Sequence, residues 1–407
     1  MSAGVEVPLA LYVHLPWCVR KCPYCDFNSH AVPAAGVPQR AYLAALLDDL
    51  DFAAQGLAGR PLVSVFFGGG TPSLFEADSI GRILERARQL FPFSADLEVS
   101  LEANPGTVEH GRFAAYRAAG VNRVSLGAQS FEDRQLAALG RIHVQWDTMA
   151  AVAELRDAGL DNFNLDLMYG LPQQTVEAAV RDVERAIELA PAHISHYQLT
   201  LEPGTVFERR PPPLPDDDAT YAMQVACQQR LAAAGFAQYE VSAYARPGRK
   251  CRHNLNYWQF GDYLGVGAGA HGKVTDASTK AVVRTARVRQ PSRYMTAARP
   301  QDRIEDLRVV AARDVPFEFC LNAFRLADGF DASLFEERTG LPWASLEPSL
   351  AEARSRGLAA CGEDGRWAPT GLGQRFLNDL QAVFLPEVDA KDGVLRASGI
   401  ASGARIG

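Results

Sequence analysis

Three cysteines fall within eight residues, Cys18, Cys22 and Cys25, spaced C-x3-C-x2-C in the run YVHLPWCVRKCPYCDFNSH. Thiols this close on one loop suit three kinds of chemistry. Zinc asks for four ligands, often as two separated pairs, whereas Cys227, Cys251, Cys320 and Cys361 each stand alone. Cys22-Pro-Tyr-Cys25 matches a redox CxxC pair, but that reading leaves Cys18 without a part. Three thiolates can also hold three irons of a cubane and leave the fourth open to an exchangeable ligand. Iron–sulfur clusters usually have four cysteines, so three with none in reserve is informative. Seven cysteines are an odd number, which makes a poor disulfide framework and fits a reducing compartment.

Further polar and glycine-rich runs need positioning: GGGTP (68–72), EANPGT (102–107), GAQSF (127–131), DLMYGLP (166–172) and TLEPGT (200–205). Each follows a short aliphatic or β-branched run, at 62–67, 96–101, 123–127, 163–168 and 193–201, with others at 9–15 and 239–244. Amphipathic stretches lie between them at 41–57, 79–90, 108–119, 148–158 and 175–189. That alternation predicts parallel β/α units with right-handed crossovers. A doubly wound sheet would gather its polar residues at one switch point. Here they end nearly every strand, as at the mouth of a barrel, so the expected fold is α/β, a partial parallel β/α barrel.

Residues 211–218, PPPLPDDD, read as a stiff connector whose acids cap a helix over 219–234. After about residue 300 the rhythm stops. The expected division is a core over 1–300, a small mostly helical domain over 301–385 ending in a turn or wing and a helix, and a loose tail over 386–407.

Composition excludes several classes. Hydrophobic residues at 47% and charged residues at 22% are those of a globular chain. A net charge of −7 leaves no general field for nucleic acid. No run reaches the roughly 18 apolar residues of a membrane helix, and the first residues lack the basic start of a signal peptide. The expected compartment is the cytoplasm. Only five of the 41 basic residues are lysines. Arg246, Arg249 and Arg252, then Arg284, Arg287, Arg289 and Arg293, form two basic clusters that suit carboxylates or simply face solvent. GAGAHG (267–272) fits G-x-G-x-x-G, but no helical stripe follows it, so a nicotinamide site is not expected.

The cysteine spacing after the first strand of a β/α barrel resembles the radical S-adenosylmethionine (SAM) superfamily. YVHLPWC, CPYCDFNSH, FFGGGTPS, LEANPGT, GAQSF, LGRIH, NLDLMYGLP, HNLNYW and GAGAHGKV together resemble the HemW-type heme chaperones. These are relatives of oxygen-independent coproporphyrinogen III oxidase. The resemblance runs from about residue 8 to 385.

It implies a radical SAM barrel with a HemN-like C-terminal domain. It also implies a [4Fe–4S] cluster on Cys18, Cys22 and Cys25, with SAM chelating the open iron. Tyr12 and Tyr24 would line the cofactors, and Gly70 and Thr71 would receive the SAM amino group. Glu102, Gln129, Arg141 and Asp166 would contact SAM. An arginine suits its carboxylate, and acids suit its amine and ribose hydroxyls. Heme would be the cargo, acceptor apo-hemoproteins the partners, and His253 of HNLNYW an axial ligand or a structural histidine. Cys251, His193, His196 and His271 are further candidates. The oxidases carry one more cysteine two residues after the third; here that position is Phe27, which favours the chaperone branch over coproporphyrinogen decarboxylation.

Overall fold

The computed structural model describes residues 7–57, 59–106 and 111–386. The expected helix start at 108 and the tail beyond Pro386 lie outside these residues. β1 (Leu9–Leu15) leads into the cysteine loop, where β2 (Trp17–Cys18) and β3 (His30–Ala31) pair in parallel. β4 (Leu62–Gly69), β5 (Phe93–Ala103), β6 (Arg123–Gln129), β7 (Phe163–Tyr169) and β8 (His193–Gln198) follow, with helices between them. β9 (Ala237–Glu240), β10 (Ala243–Ala245), β11 (Asp262–Val266), β12 (His271–Thr275), β13 (Val282–Arg287) and β14 (Ile304–Val309) complete one twelve-stranded sheet. Its order is β14-β13-β12-β11-β1-β4-β5-β6-β7-β8-β10-β9. The seven strands from β11 to β8 are parallel, and those outside them are antiparallel. This is an open, partial β/α barrel.

Period-two alternation gives the sheet two buried faces of different character. Leu9, Leu11, Val13 and Leu15 of β1 join Val65, Phe67, Val99, Leu101, Val124 and Leu126 in an apolar core under the helices. The helix Ala77–Leu90 buries Ile80, Ile83, Leu84 and Ala87, one stripe of a 3.6-residue period. The other face is lined by polar and aromatic groups, among them Tyr12, Ser64, Glu98, Glu102, Asn164, Asp166 and His193. Thr175 caps the helix Val176–Glu188 by accepting from Ala178 N. Asp216, the first acid of PPPLPDDD, caps Asp217–Ala233 by accepting from Ala219 N at 2.8 Å.

One expectation needs correction. The run at 239–244 is not one parallel strand but the antiparallel pair β9–β10, turned at Val241-Ser242, where the Glu240 carboxylate accepts from Ser242 N at 3.1 Å. The parallel strand that completes the set is β11, beside β1. It follows the short helix Arg252–Trp258, which lies inside the concave face, with His253, Tyr257 and Trp258 buried.

Beyond β14 come helices at Val315–Ala323, Ala332–Thr339 and Glu347–Ser355, a hairpin of β15 (Ala359–Cys361) and β16 (Trp367–Pro369), and two short closing helices. They share a second core around Phe319, Phe324, Phe330, Phe335 and Phe384, joined from the barrel side by Phe260 and Val282. No helix among the described residues is long and apolar enough to cross a membrane.

Candidate cofactor site

The cysteine loop rests on the C-terminal end of β4. Gly70 N donates to Leu15 O at 2.9 Å and Thr71 N to Trp17 O at 2.7 Å, so GGGTP and the loop are stitched backbone to backbone. The approach admits no side chain at Gly70: a Cβ there would lie 2.5 Å from the Trp17 carbonyl oxygen. Gly140, at φ +70°, presses likewise on Pro23, where a Cβ would stand 2.7 Å from Cδ. Cys25 N donates to Cys22 O at 3.2 Å, and Lys21 Nζ closes the loop on the Phe27 and Ser29 carbonyls.

All three cysteines are half-buried and free. Thr71 hydrogen-bonds the Cys18 thiol, Ser29 Oγ lies 3.8 Å from Cys25 Sγ, and Arg141 Nη1 donates to Cys22 Sγ at 3.8 Å. Burial raises the Cys18 thiol above its usual range and pushes Cys25 up to about 11. Cationic iron would reverse that, because a metal binds the deprotonated ligand. Three soft donors on one loop, with two hydroxyls and a guanidinium around them, fit a cluster held on three sides. A radical SAM cluster is therefore compatible with the residues present.

Of the expected SAM contacts, Glu102 and Gln129 stand at the ends of β5 and β6 and Asp166 midway along β7, on three successive strands. Glu102 of β5 accepts from Gly69 N at 3.1 Å, and burial followed by Asp166 pushes its carboxyl up to about 8. Asp166 of β7, raised by burial, accepts from Ser125 Oγ at 3.1 Å and Asn164 Nδ2 at 2.7 Å. Gln129 ends β6 in a left-handed conformation, φ +65°, and accepts from Tyr197 Oη at 2.7 Å. Such backbone strain in a non-glycine residue is usually kept where geometry matters. Tyr12 stacks on Phe66 behind Gly68, and Tyr24 lies beside Phe207 with ring centroids 6.4 Å apart.

One residue missed in the sequence joins this set. Asn104 donates to Thr71 Oγ1 at 2.8 Å and accepts from Arg141 Nη2 at 2.6 Å; Arg141 also donates to Gly127 O at 2.8 Å. Asn104 and Arg141 together thus tie three strand ends to the cysteine loop. Its place two residues after Glu102 in EANPGT was the available signal.

The heme candidates lie elsewhere. His253 is fully buried: Ser64 Oγ bonds its Nδ1 at 2.9 Å, Phe66 stacks on its ring at 4.7 Å, and burial brings its pKa down to about 3. Its Nε2 has no hydrogen-bond partner. This interior placement favours a structural role, because a ring so enclosed reaches heme iron only if the barrel opens. Cys251 is also buried and donates to Glu98 Oε1 at 3.4 Å. His193 is bonded to Asn164 and Tyr239, His196 stacks on Tyr169, and His271 is exposed on β12.

The two arginine clusters are mostly paired internally. Arg252 pairs with Asp96, Arg284 with Glu318 at 2.7 Å, and Arg287 with the buried Asp49 at 2.9 Å, while Arg246 covers Phe236.

The sequence profile described as the Radical SAM superfamily matches residues 12–186, and that of the HemN C-terminal domain matches 310–387. A protein named heme chaperone HemW from Escherichia coli (strain K12) is 48% identical over 381 residues, 93% of this chain and 99% of that one. The Haemophilus influenzae protein of the same name is 46% identical, with 93% and 98% covered. A bovine protein named radical S-adenosyl methionine domain-containing protein 1, mitochondrial, is 40% identical over 70% of this chain and 66% of its own. Among solved structures, coproporphyrinogen III oxidase (HemN) from E. coli matches with a TM-score of 0.77 at 24% identity, covering 93% of this chain and 90% of that one, a likeness of fold. With nearly its whole length aligned to such relatives, and three cysteines set at the mouth of the shared barrel, the chain belongs to the HemW family of the radical SAM superfamily.

Proposed function

We propose that this protein binds heme and passes it to acceptor apo-hemoproteins, and that it carries a [4Fe–4S] cluster with exchangeable SAM at the barrel mouth. The observation that carries the reading is the 48% identity to a protein named heme chaperone across 99% of that protein's length. Phe27 supports it against coproporphyrinogen oxidation. At the position where the oxidases place a further cysteine stands a partly exposed phenylalanine whose carbonyl accepts from Lys21.

In this reading Cys18, Cys22 and Cys25 hold three irons. Gly70 and Thr71 would receive the SAM amino group, Arg141 with Asn104 would orient its carboxylate, and Glu102, Gln129 and Asp166 would contact the rest of the cofactor. When bound, the cluster and SAM supply one-electron chemistry. The protein's own part is to bind, orient and keep water from the mouth. Seven free thiols suit a cytoplasmic setting.

The test is anaerobic reconstitution followed by heme titration and a coproporphyrinogen III assay on one preparation. A Soret band growing to about one equivalent per chain, with no protoporphyrinogen formed, is expected. Product over many turnovers would restore the oxidase. A heme-ligand role for His253 belongs to this proposal only through an opened interior. A band unchanged in His253→Ala assigns that ring to packing.

A further inference from the structure

The helix Val176–Glu188 buries Ala178, Ala179, Asp182, Val183 and Ala186. The acid stands out in that stripe, because a buried charge is costly unless it is bonded. Asp182 is buried, and among the described residues no basic side chain forms an ion pair with it; its chain neighbour Arg181 pairs with Glu132 at 2.7 Å. Burial pushes its carboxyl up to about 6. Hydrogen bonds hold it instead. Oδ1 accepts from Phe131 N at 2.6 Å, and Oδ2 accepts from Ser130 Oγ at 2.8 Å and from Gln174 Nε2 at 3.5 Å. Gln174 Oε1 in turn accepts from Leu171 N at 3.1 Å, in the turn after β7.

Two of those bonds land on the residues that follow Gln129. Ser130 N donates back to Ala128 O at 2.8 Å, around Gln129 at φ +65°. A bond from i+2 to i across a positive φ is the rare, strained hand of the γ-turn. The register of β6 on β7 shifts just before it, between Leu126 and Gln129. Shift and turn bring the Gln129 side chain to Tyr197, whose Oη donates to Gln129 Oε1 at 2.7 Å. Strain of this kind persists only where the surroundings over-determine the conformation. His143 Nε2 bonds Ala128 O at 3.2 Å on the entry side, and Asp182 grips the exit.

We propose that Asp182 is a positioning residue for SAM: by bonding Ser130 and Phe131 it holds the strained turn that presents Gln129 to the cofactor. This rests on the reading of Gln129 as a SAM contact. A carboxylate suits the task because one side chain offers acceptors to a hydroxyl and to the next backbone N–H together.

The experiment is anaerobic calorimetry of SAM on the reconstituted full chain, without reductant. Asp182→Ala should weaken SAM binding at least about tenfold, with iron per chain unchanged. Asp182→Asn should stay within about threefold of the wild type, because an amide still accepts from Phe131 N and can donate to Ser130 Oγ. Gln129→Gly removes the contact and the strain together, since glycine adopts positive φ freely, and should itself weaken SAM. In that background Asp182→Ala should cost no further affinity, whereas a general weakening of the fold would add its loss in full. Ser130→Ala deletes one of the two bonds and leaves the carboxylate in place, so it serves where Asp182→Ala does not fold. It should weaken SAM about threefold alone and not at all beside Gln129→Gly. Unchanged affinity in Gln129→Gly would remove Gln129 from the SAM site and overturn the premise with the proposal. A loss there with none in Asp182→Ala, or equal losses in both backgrounds, would overturn the positioning role alone. Iron falling in step with affinity would route the effect through the cluster and overturns it equally.

Discussion

Glu102 is a carboxylate of the site whose chemistry departs far from its type. Its carboxyl is held up to about 8 by burial and by Asp166, so between roughly pH 4.3 and 8 the folded chain keeps a proton that the unfolded chain has lost. A raised acid adds stability that is complete below the unfolded value and gone once pH passes the folded one. Glu102→Gln removes this dependence. In thermal unfolding without SAM, the variant should gain on the wild type by up to about 1.4 kcal/mol per pH unit across that window, with no further gain above pH 8. A constant gap would show that Glu102 is ionised throughout.

Arg141 and Asn104 act as a pair. Arg141→Ala should weaken SAM binding in calorimetry while leaving iron content intact, and Asn104→Ala should do the same more mildly by freeing the Arg141 guanidinium. Equal SAM affinity in both variants and the wild type would remove them from the site. Arg141 was named from the sequence as a SAM contact. Asn104 was not singled out, because an asparagine after a strand is as common in turns as in sites.

At the scale of elements, the decisive contact is the cysteine loop on the end of β4. Gly70→Ala places a methyl carbon 2.5 Å from the Trp17 carbonyl oxygen and 2.7 Å from its nitrogen. That backbone cannot rotate away, so a loss of about 1–3 kcal/mol is expected, as for overpacking. Iron per chain after anaerobic reconstitution should fall with it. Full iron at unchanged melting temperature would mean that the loop can shift freely.

Six of the seven strand runs read in the sequence appear in the sheet, that at 9–15 with the same bounds and five with shifted ends, because aliphatic runs bounded by glycine or polar turns carry their own signal. The seventh misled because Val241-Ser242 looks like strand yet turns. β11 escaped because its five residues follow a buried seven-residue helix rather than an amphipathic one. A helix wrapped inside a barrel has no polar stripe to announce it.

At the scale of the molecule, the two cores meet through Phe260 and Val282. Phe319 sits at the centre of the second core, with its ring edge-on to Phe260, Phe330 and Phe335 at 5.7, 4.9 and 5.1 Å. Phe319→Ala should cost about 3–5 kcal/mol. If barrel and C-terminal helices melt together, one calorimetric transition should move. A new low-temperature transition with the other unmoved would show two independent units.

The helix Arg252–Trp258 carries a consequence of its own. Glu98 accepts from Arg252 N and His253 N, and Tyr257 and Trp258 pack with Ala10 near the start of β1, so the helix stoppers the concave face at the ends where the strands begin. A vessel corked at its base cannot drain from below, so a guest beside the cysteine loop comes and goes by the mouth or by the barrel's open flank.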